Sequence, residues 1–327
     1  MKVIVPFSGG KDSQACLLYA IEKYGLKNVT AAFCDTSWEN EITYRHIEYV
    51  LKRLKVENVV LTSEKYGGMI DLAIKKKRFP STKSRFCTTE LKVIPMINYI
   101  LSLKDHLLIV QGIRSDESKT RSAMANNCRF FKYYFEPYET NSAIVAKLSG
   151  KMALSLVLKT KLDKAALRLS QGKEDKKYHT YRKKDVLAWC EMYSDEVVRP
   201  FFNATAEEVI DFSLYRGLDI NPLYYNGFSR IGCFPCIMCT QKEIDLIVKN
   251  HPETVFKVKE AEALTGHTFF PPGKIPKRYN SKQTSKGKGY ATFDDVIKYR
   301  NDKNATGDLF DNEADSKACF SVYSICE

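Results

Sequence analysis

The chain of 327 residues contains no apolar run long enough to cross a bilayer, so no segment reads as a membrane span. Its first residues enter a strand pattern at once and show no succession of basic, apolar and small residues that would mark an export leader. The expectation is a cytoplasmic protein with no membrane partner. There is no internal repeat, no Walker A loop and no GxGxxG turn, so the two commonest glycine-rich nucleotide fingerprints are absent. What is abundant is cysteine and positive charge. Ten cysteines without an export leader argue against a disulfide scaffold and for metal, cluster or thiol chemistry. A formal charge of +12 and a pI of about 9.1 suit an anionic partner, although solubility alone is a sufficient use for them. The hydrophobic share of 44% and charged share of 28% are ordinary for a soluble globular protein of one large or two ordinary domains.

Hydrophobic periodicity orders the first third of the chain. The run VIVPF reads as a buried strand, and Leu17, Leu18 and Ile21 fall at helical spacing behind it. NVTAAFCD is a second strand ending at Asp35, ITYRHIEYVLKRLKV a second helix and NVVLTSE a third strand. VIPMINYILSL reads as a helix that follows its proline, and HLLIVQG as a fourth strand. Strands alternating with helices predict an α/β fold with a parallel twisted sheet covered on both faces. Ligands of such sheets sit beyond the carboxyl ends of the strands, where residues 8–13, Asp35 and Arg114 fall.

The pattern changes after about residue 136. From Lys147 to Lys184 stand twelve Lys or Arg and three Asp or Glu. Two readings are open: a solvated basic helix pair inserted into the fold, or a surface for DNA or RNA. Helical pattern returns at TAEEVIDFSLYRG, where Thr205 and Glu208 have capping-box spacing. The expected organisation is a nucleotide-binding α/β domain at 1–135, a basic helical insert at 136–197, a return segment with a cysteine motif at 198–245, and a C-terminal extension at 246–327.

Between the first strand and first helix stand Ser8, Gly9, Gly10, Lys11, Asp12 and Ser13. Small residues at a strand-to-helix turn expose backbone N–H groups at a helix N-terminus, where the dipole favours an anion. Lys11 adds charge and the serines add donors. The plain alternative is a tight turn. In this context the hexamer resembles the PP-loop of the adenine nucleotide alpha-hydrolase-like superfamily.

Three further stretches resemble the phosphoadenosine phosphosulfate (PAPS) reductase-like branch of that superfamily. They are DTSWE from Asp35, RFCTTELKVIP through Arg85, Cys87, Lys92 and Pro95, and GIRSDESKTR through Gly112, Arg114, Glu117, Ser118 and Arg121. The resemblance implies a nucleotide site made of residues 8–13 with Asp35, Lys92, Arg114 and Arg121. Guanidinium forks suit phosphate or sulfate oxygens. Surface ion pairs are the plain alternative for the arginines, and a strand-end cap for Asp35.

RIGCFPCIMC places Cys233, Cys236 and Cys239 three residues apart. An iron–sulfur cluster with Cys87 as fourth ligand, a structural zinc site on the same four, and redox or inert thiols all remain open. The Gly-Cys-x-Pro-Cys element resembles the second cysteine pair of cluster-bearing adenylyl sulfate reductases. Their first element is a Cys-Cys pair, whereas Phe86 precedes Cys87 here. The three-cysteine run is similar to that of DNA phosphorothioation sulfurtransferases. PAPS reductases carry their nucleophile in a C-terminal Glu-Cys-Gly-x-His motif, which this chain lacks. Cys326 near the terminus stands as a substitute nucleophile or as an incidental thiol. Cys16, Cys34, Cys128 and Cys190 read as core.

The resemblance implies an adenine nucleotide (ATP, APS or PAPS) as substrate, a 4Fe-4S cluster or zinc, and Mg2+ as a further candidate. Lys11, Asp12 and Cys326 are the candidate catalytic residues. The first function expected is sulfur reduction or transfer from a nucleotide, with a thiol reductant or sulfur donor as partner. The alternatives are an ATP-dependent sulfurtransferase acting on a nucleic acid, and a non-catalytic nucleotide sensor.

Overall fold

The structure is a computed structural model that describes residues 1–82, 84–283 and 289–305. In chain order the main elements begin β1 (Lys2–Pro6), α1 (Lys11–Tyr24), β2 (Val29–Cys34), α2 (Glu41–Leu54), β3 (Glu57–Leu61) and α3 (Met69–Lys76). They continue with α4 (Ile94–Ser102), β4 (Leu107–Val110), β5 (Asn127–Arg129), α5 (Asn141–Leu148), α6 (Leu156–Ser170), α7 (Lys183–Met192), β6 (Asp195–Val198) and α8 (Ala206–Tyr215). The last are α9 (Gln241–Asn250), α10 (Pro252–Thr265) and α11 (Phe293–Ala305).

A six-stranded sheet has the order β3-β2-β1-β4-β6-β5. Every pair is parallel except β5 with β6. The expected α/β class, a parallel sheet with helices on both faces, is what the structure shows. Alternation along β1 explains the two covered faces, because successive side chains point opposite ways. Val3 and Val5 join Leu17, Leu18, Ile47 and Val50 of α1 and α2. Ile4 joins Met96, Ile97 and Ile100 of α4 and Val186 and Trp189 of α7 on the other face.

Three features depart from the expected boundaries. β6 lies in the central sheet although three of its four residues fall within 136–197, and α7 packs on the sheet through Val186 and Trp189. Its sequence DEVV is short and half charged, and edge strand β5 (NCR) is polar, so neither offers a periodic signal. The helix around Pro95 begins earlier, at Phe86, and runs through a π-helical stretch, Thr89–Val93, into α4. Proline is tolerated in a first helical turn, which is why it marks a start when read in sequence. Lastly, α9, α10 and α11 are packed into the body. Ile244, Val258, Phe269, Phe293 and Val296 share one core with Trp38, Met69 and Leu72.

The basic segment forms the antiparallel pair α5 and α6, held at its base by polar contacts. Lys161 and Lys177 both pair with Glu139, and Arg168 pairs with Asp175 at 2.7 Å. Lys147, Lys151, Lys159 and Lys164 are exposed. Among the described residues no helix is long and apolar enough to cross a membrane.

Candidate nucleotide and cysteine site

The chain leaves β1 for β2 and β3 on one side and returns to β4 on the other. The crevice between the carboxyl ends of β1 and β4 is therefore the switch point where such sheets bind ligands. Both loops that flank it need glycine. Gly9 has φ +76°, and a Cβ there would stand 2.8 Å from Ile47 Cγ1. At Gly112 a Cβ would stand 2.7 Å from the backbone carbon of Asp12 and the nitrogen of Ser13. Glycine at 112 thus lets the β4 loop lie directly on the first turn of α1.

The loop is internally braced. Ser13 Oγ accepts from Ser8 N at 3.3 Å and donates to Gly10 O at 3.0 Å. Ser8, Ser13, Lys92, Gln111 and Gly112 line one cleft with Phe7, Phe33 and Cys34. Lys92 is buried there and lies within the π-helical stretch, a local widening that recurs at functional sites. Lys11 N–H donates to the hydroxyl of Tyr224 at 3.2 Å, and Lys11 Nζ lies 4.9 Å from the Tyr224 ring centre.

Asp12 is buried and bound to two cations. Arg114 Nε donates to its Oδ1 at 2.5 Å, and Lys11 Nζ lies 3.3 Å from its Oδ2. Arg114 also contacts Asp116 at 2.6 Å. Burial opposes the Arg114 charge, but Asp12 and Asp116 outweigh it and hold the pKa above its ordinary value. Arg121 is buried and paired with Glu117. The two arginines thus reach the site's edge already engaged with carboxylates.

The turn after β2 carries Asp35, which accepts from Tyr44 Oη at 2.7 Å and from Ser37 N at 2.8 Å. Glu39, four residues on, is buried and accepts from Thr36 Oγ1 at 2.7 Å and Tyr44 Oη at 3.0 Å. Burial, then the charges of Glu39 and Asp35, pushes the Tyr44 hydroxyl well above its usual pKa.

The cysteine loop docks on this same turn. Glu39 and Cys233 form a backbone bridge, Phe234 N donates to Trp38 O at 2.8 Å, and Trp38 Nε1 donates to Pro235 O at 2.9 Å. Cys233 Sγ lies 3.7 Å from Thr36 Oγ1 and 4.0 Å from Glu39 Oε1. Lys257 of α10 closes the group. Its Nζ donates to Glu39 O at 3.4 Å and sits 4.4 Å from the Trp38 ring centre. Burial lowers its pKa, against the opposing charges of Glu39, Cys233 and Asp35.

Cys233, Cys236 and Cys239 line one cavity with Phe228, Arg230 and Glu243. Cys87, at the start of the helix that leads to α4, packs on the same core as all three. The eight cysteines among the described residues are free thiols. Cys239 is fully buried, and burial raises its pKa. Arg85 Nη1, two residues before Cys87, is buried with no hydrogen-bond partner among the described residues. Among those residues no three His, Cys, Asp or Glu side chains are gathered tightly enough to hold a metal ion. The donor set is right in kind, and its thiols are not drawn round one point. Cys326 lies outside the described residues. Cys16 and Cys34 are buried in the sheet cores, and burial pushes the thiol of half-buried Cys190 up to about 12.

Tyr44, Tyr224 and Lys257 are site residues that the sequence does not announce. They lie in amphipathic or turn segments, and only the folded contacts single them out.

The model of the phosphoadenosine phosphosulfate reductase domain matches residues 2–239. An uncharacterized 37.8 kDa protein of Escherichia phage 186 is 26% identical over 99% of this chain and 96% of its own length. An uncharacterized protein of Methanocaldococcus jannaschii is 24% identical over 77% of this chain, a match that spans 39% of that longer protein. Among solved structures, the phosphoadenylyl-sulfate reductase of Candida auris in its phosphate complex is similar at 12% identity and a TM-score of 0.42, covering 72% of this chain and 83% of that one. The U34-tRNA thiolase NcsA of Methanococcus maripaludis, solved with its 4Fe-4S cluster, is similar at 17% identity and a TM-score of 0.38, covering 89% of this chain and 80% of that one. The match across residues 2–239 takes in the crevice, the turn after β2 and all four candidate cysteines, and by it the chain belongs to the phosphoadenosine phosphosulfate reductase domain family.

Proposed function

We propose that the protein is an enzyme of sulfur chemistry that binds an adenine nucleotide in the crevice between β1 and β4 and reduces or transfers sulfur beside the cysteine loop. The observation that carries this reading is the docking of that loop on the turn after β2, through the Glu39–Cys233 bridge and the Trp38–Pro235 hydrogen bond. The thiols are thereby fixed beside the turn that follows β2, the strand next to β1.

The amides of residues 8–13 and the charges of Lys11 and Lys92 hold the phosphates, and Asp35 takes the nucleoside end. Fixed donors of this kind stabilise the charge that gathers on a leaving phosphate without reorganising. In the reductase form, a thiolate attacks the sulfur of a phosphosulfate, the sulfur–oxygen bond to phosphate breaks, and the nucleotide leaves. Cys326 is the candidate nucleophile, and a thiol reductant then releases sulfite from it. Cys233, Cys236 and Cys239, with Cys87, are the residues that would hold an iron–sulfur cluster, or zinc in its place. Such a cluster supplies electrons or an iron site for sulfide.

The engagement of Arg114 by Asp12 favours a second reading, because it leaves that arginine poorly placed to clamp a sulfate. There an acceptor oxygen attacks the α-phosphorus of ATP, pyrophosphate leaves, and sulfur then displaces AMP. The exposed lysines of α5 and α6 support a nucleic-acid acceptor, bound through phosphate contacts.

Side-by-side titration of anaerobically prepared protein with ATP, APS and PAPS tests the two. Preference for a sulfated nucleotide, with sulfite release, supports reduction. Preference for ATP, with pyrophosphate release, supports transfer. Binding of none of the three refutes the proposal.

A further inference from the structure

Tyr224 stands in a short helical turn, Pro222–Tyr225, far in sequence from the phosphate-binding loop. The turn is anchored on both sides of it. Asn221 is buried, accepts from Leu223 N at 3.0 Å, and donates to Thr43 Oγ1 of α2 at 3.4 Å. Leu223 is buried with Phe228, Ile231, Phe234 and Ile247. Between these anchors the Tyr224 ring lies along Lys11, and its hydroxyl takes the Lys11 N–H at 3.2 Å.

That N–H belongs to the first turn of α1, one of the helical donors without an intrahelical acceptor. A backbone amide has one proton to give. A phosphate oxygen and the Tyr224 hydroxyl are therefore rivals for it. The phosphate is the stronger acceptor, because the bond is charge-assisted and aligned with the helix dipole. Lys11 Nζ then leaves the ring face and keeps its contact with Asp12 at 3.3 Å, from which it can turn part of its charge to the same anion.

We infer that Tyr224 is a specificity-determining residue that plugs the phosphate site, and that its side chain rotates away when a di- or triphosphate enters. Because Asn221 and Leu223 hold the turn, the motion is a side-chain rotation and not a loop opening. The plug rejects weak acceptors and yields to a polyphosphate. This rests on the reading of residues 8–13 as a phosphate site.

The test is calorimetric titration of the full chain and of Tyr224→Phe with inorganic pyrophosphate and with ATP. Phenylalanine keeps the ring over Lys11 and removes only the hydroxyl. Removing a rival hydrogen bond of ordinary strength should tighten binding of both ligands roughly two- to tenfold. Thermal unfolding without ligand, measured alongside, confirms that the variant is folded. Equal affinity in the two proteins overturns the inference, since the hydroxyl then does not compete. Weaker binding by Tyr224→Phe also overturns it, because the hydroxyl would then be a ligand of the phosphate. Absence of binding by the unaltered chain is a different failure, that of the phosphate site itself.

Discussion

The contact at Gly112 yields the sharpest expectation. An alanine there places Cβ 2.7 Å from Asp12 C and Ser13 N, and 2.8 Å from Asp12 O. Ordinary carbon contacts begin near 3.5 Å, so the β4 loop and the first turn of α1 must separate by roughly 0.8 Å. The clashing atoms are backbone, and no side chain can swing aside to relieve them. Overpacking of this kind costs about 1–3 kcal/mol. The same displacement moves the amides of Asp12 and Ser13, and ligand geometry tolerates only about 0.5 Å. Gly112→Ala should therefore lose both stability and at least about tenfold in pyrophosphate affinity, a factor worth ~1.4 kcal/mol. Urea unfolding and calorimetry on the same preparation read the two effects. Gly150→Ala is the control, because nothing lies within 4 Å of a Cβ there. A Gly112→Ala protein matching the control in both measurements would refute the packing argument and with it the placement of the site.

Other expectations concern charge. Arg114→Met leaves the buried Asp12 carboxylate with Lys11 as its remaining cation and should cost up to about 3 kcal/mol in urea unfolding, with part recovered in Asp12→Asn/Arg114→Met. Unchanged stability with lost affinity for sulfated nucleotides would instead make Arg114 a substrate clamp. His46 is buried, and burial lowers its pKa to about 4. The unfolded chain then binds the extra proton first, so stability present above about pH 6.5 falls as the pH drops toward 4. His46→Gln should flatten that slope in unfolding midpoints taken across this range; an unaltered slope would show that other groups cause it. Serine at any of Cys233, Cys236 or Cys239 should cut iron and acid-labile sulfide per chain after anaerobic reconstitution, and Cys128→Ser should not. Full loading of all three serine variants would exclude the loop as a cluster site.

The sheet was legible because β1, β2 and β4 are apolar runs whose two faces are both covered, and residues 8–13 stood out as a candidate anion loop because small residues stand at a strand-to-helix joint. Asp12 and Arg114 were each visible as candidates, but their union was not. They are 102 residues apart and meet only because β1 and β4 are neighbours in the sheet. The same holds for Gln14 and His46, which meet at 2.8 Å across α1 and α2. Gln14 Nε2 donates to Asp219 O at 3.0 Å, so its Oε1 is left to accept, and neutral His46 carries its proton on Nε2. No local pattern encodes such a chain of donors. β5 and β6 stayed hidden for a different reason. β6 takes its place in the sheet through partners on both sides, and its own side chains Asp195 and Glu196 argue against a buried strand.

Charge, too, is placed only by the fold. The loudest signal in the sequence, the lysines of α5 and α6, lies on a helix pair whose basic residues are exposed or satisfied by Glu139 and Asp175. A lysine of α10 with no signal in the sequence, Lys257, donates to Glu39 O and feels the charge of Cys233. It lies beyond the residues matched by the family model, yet α10 that carries it is locked to α3 through the core containing Trp38 and Val258. A cation on the Trp38 ring is held more firmly as it is desolvated, and desolvation is also what lowers its pKa. The charges of Glu39, Cys233 and Asp35 act against that lowering. The C-terminal helices thus pack on the turn after β2, and α10 brings a cation to it.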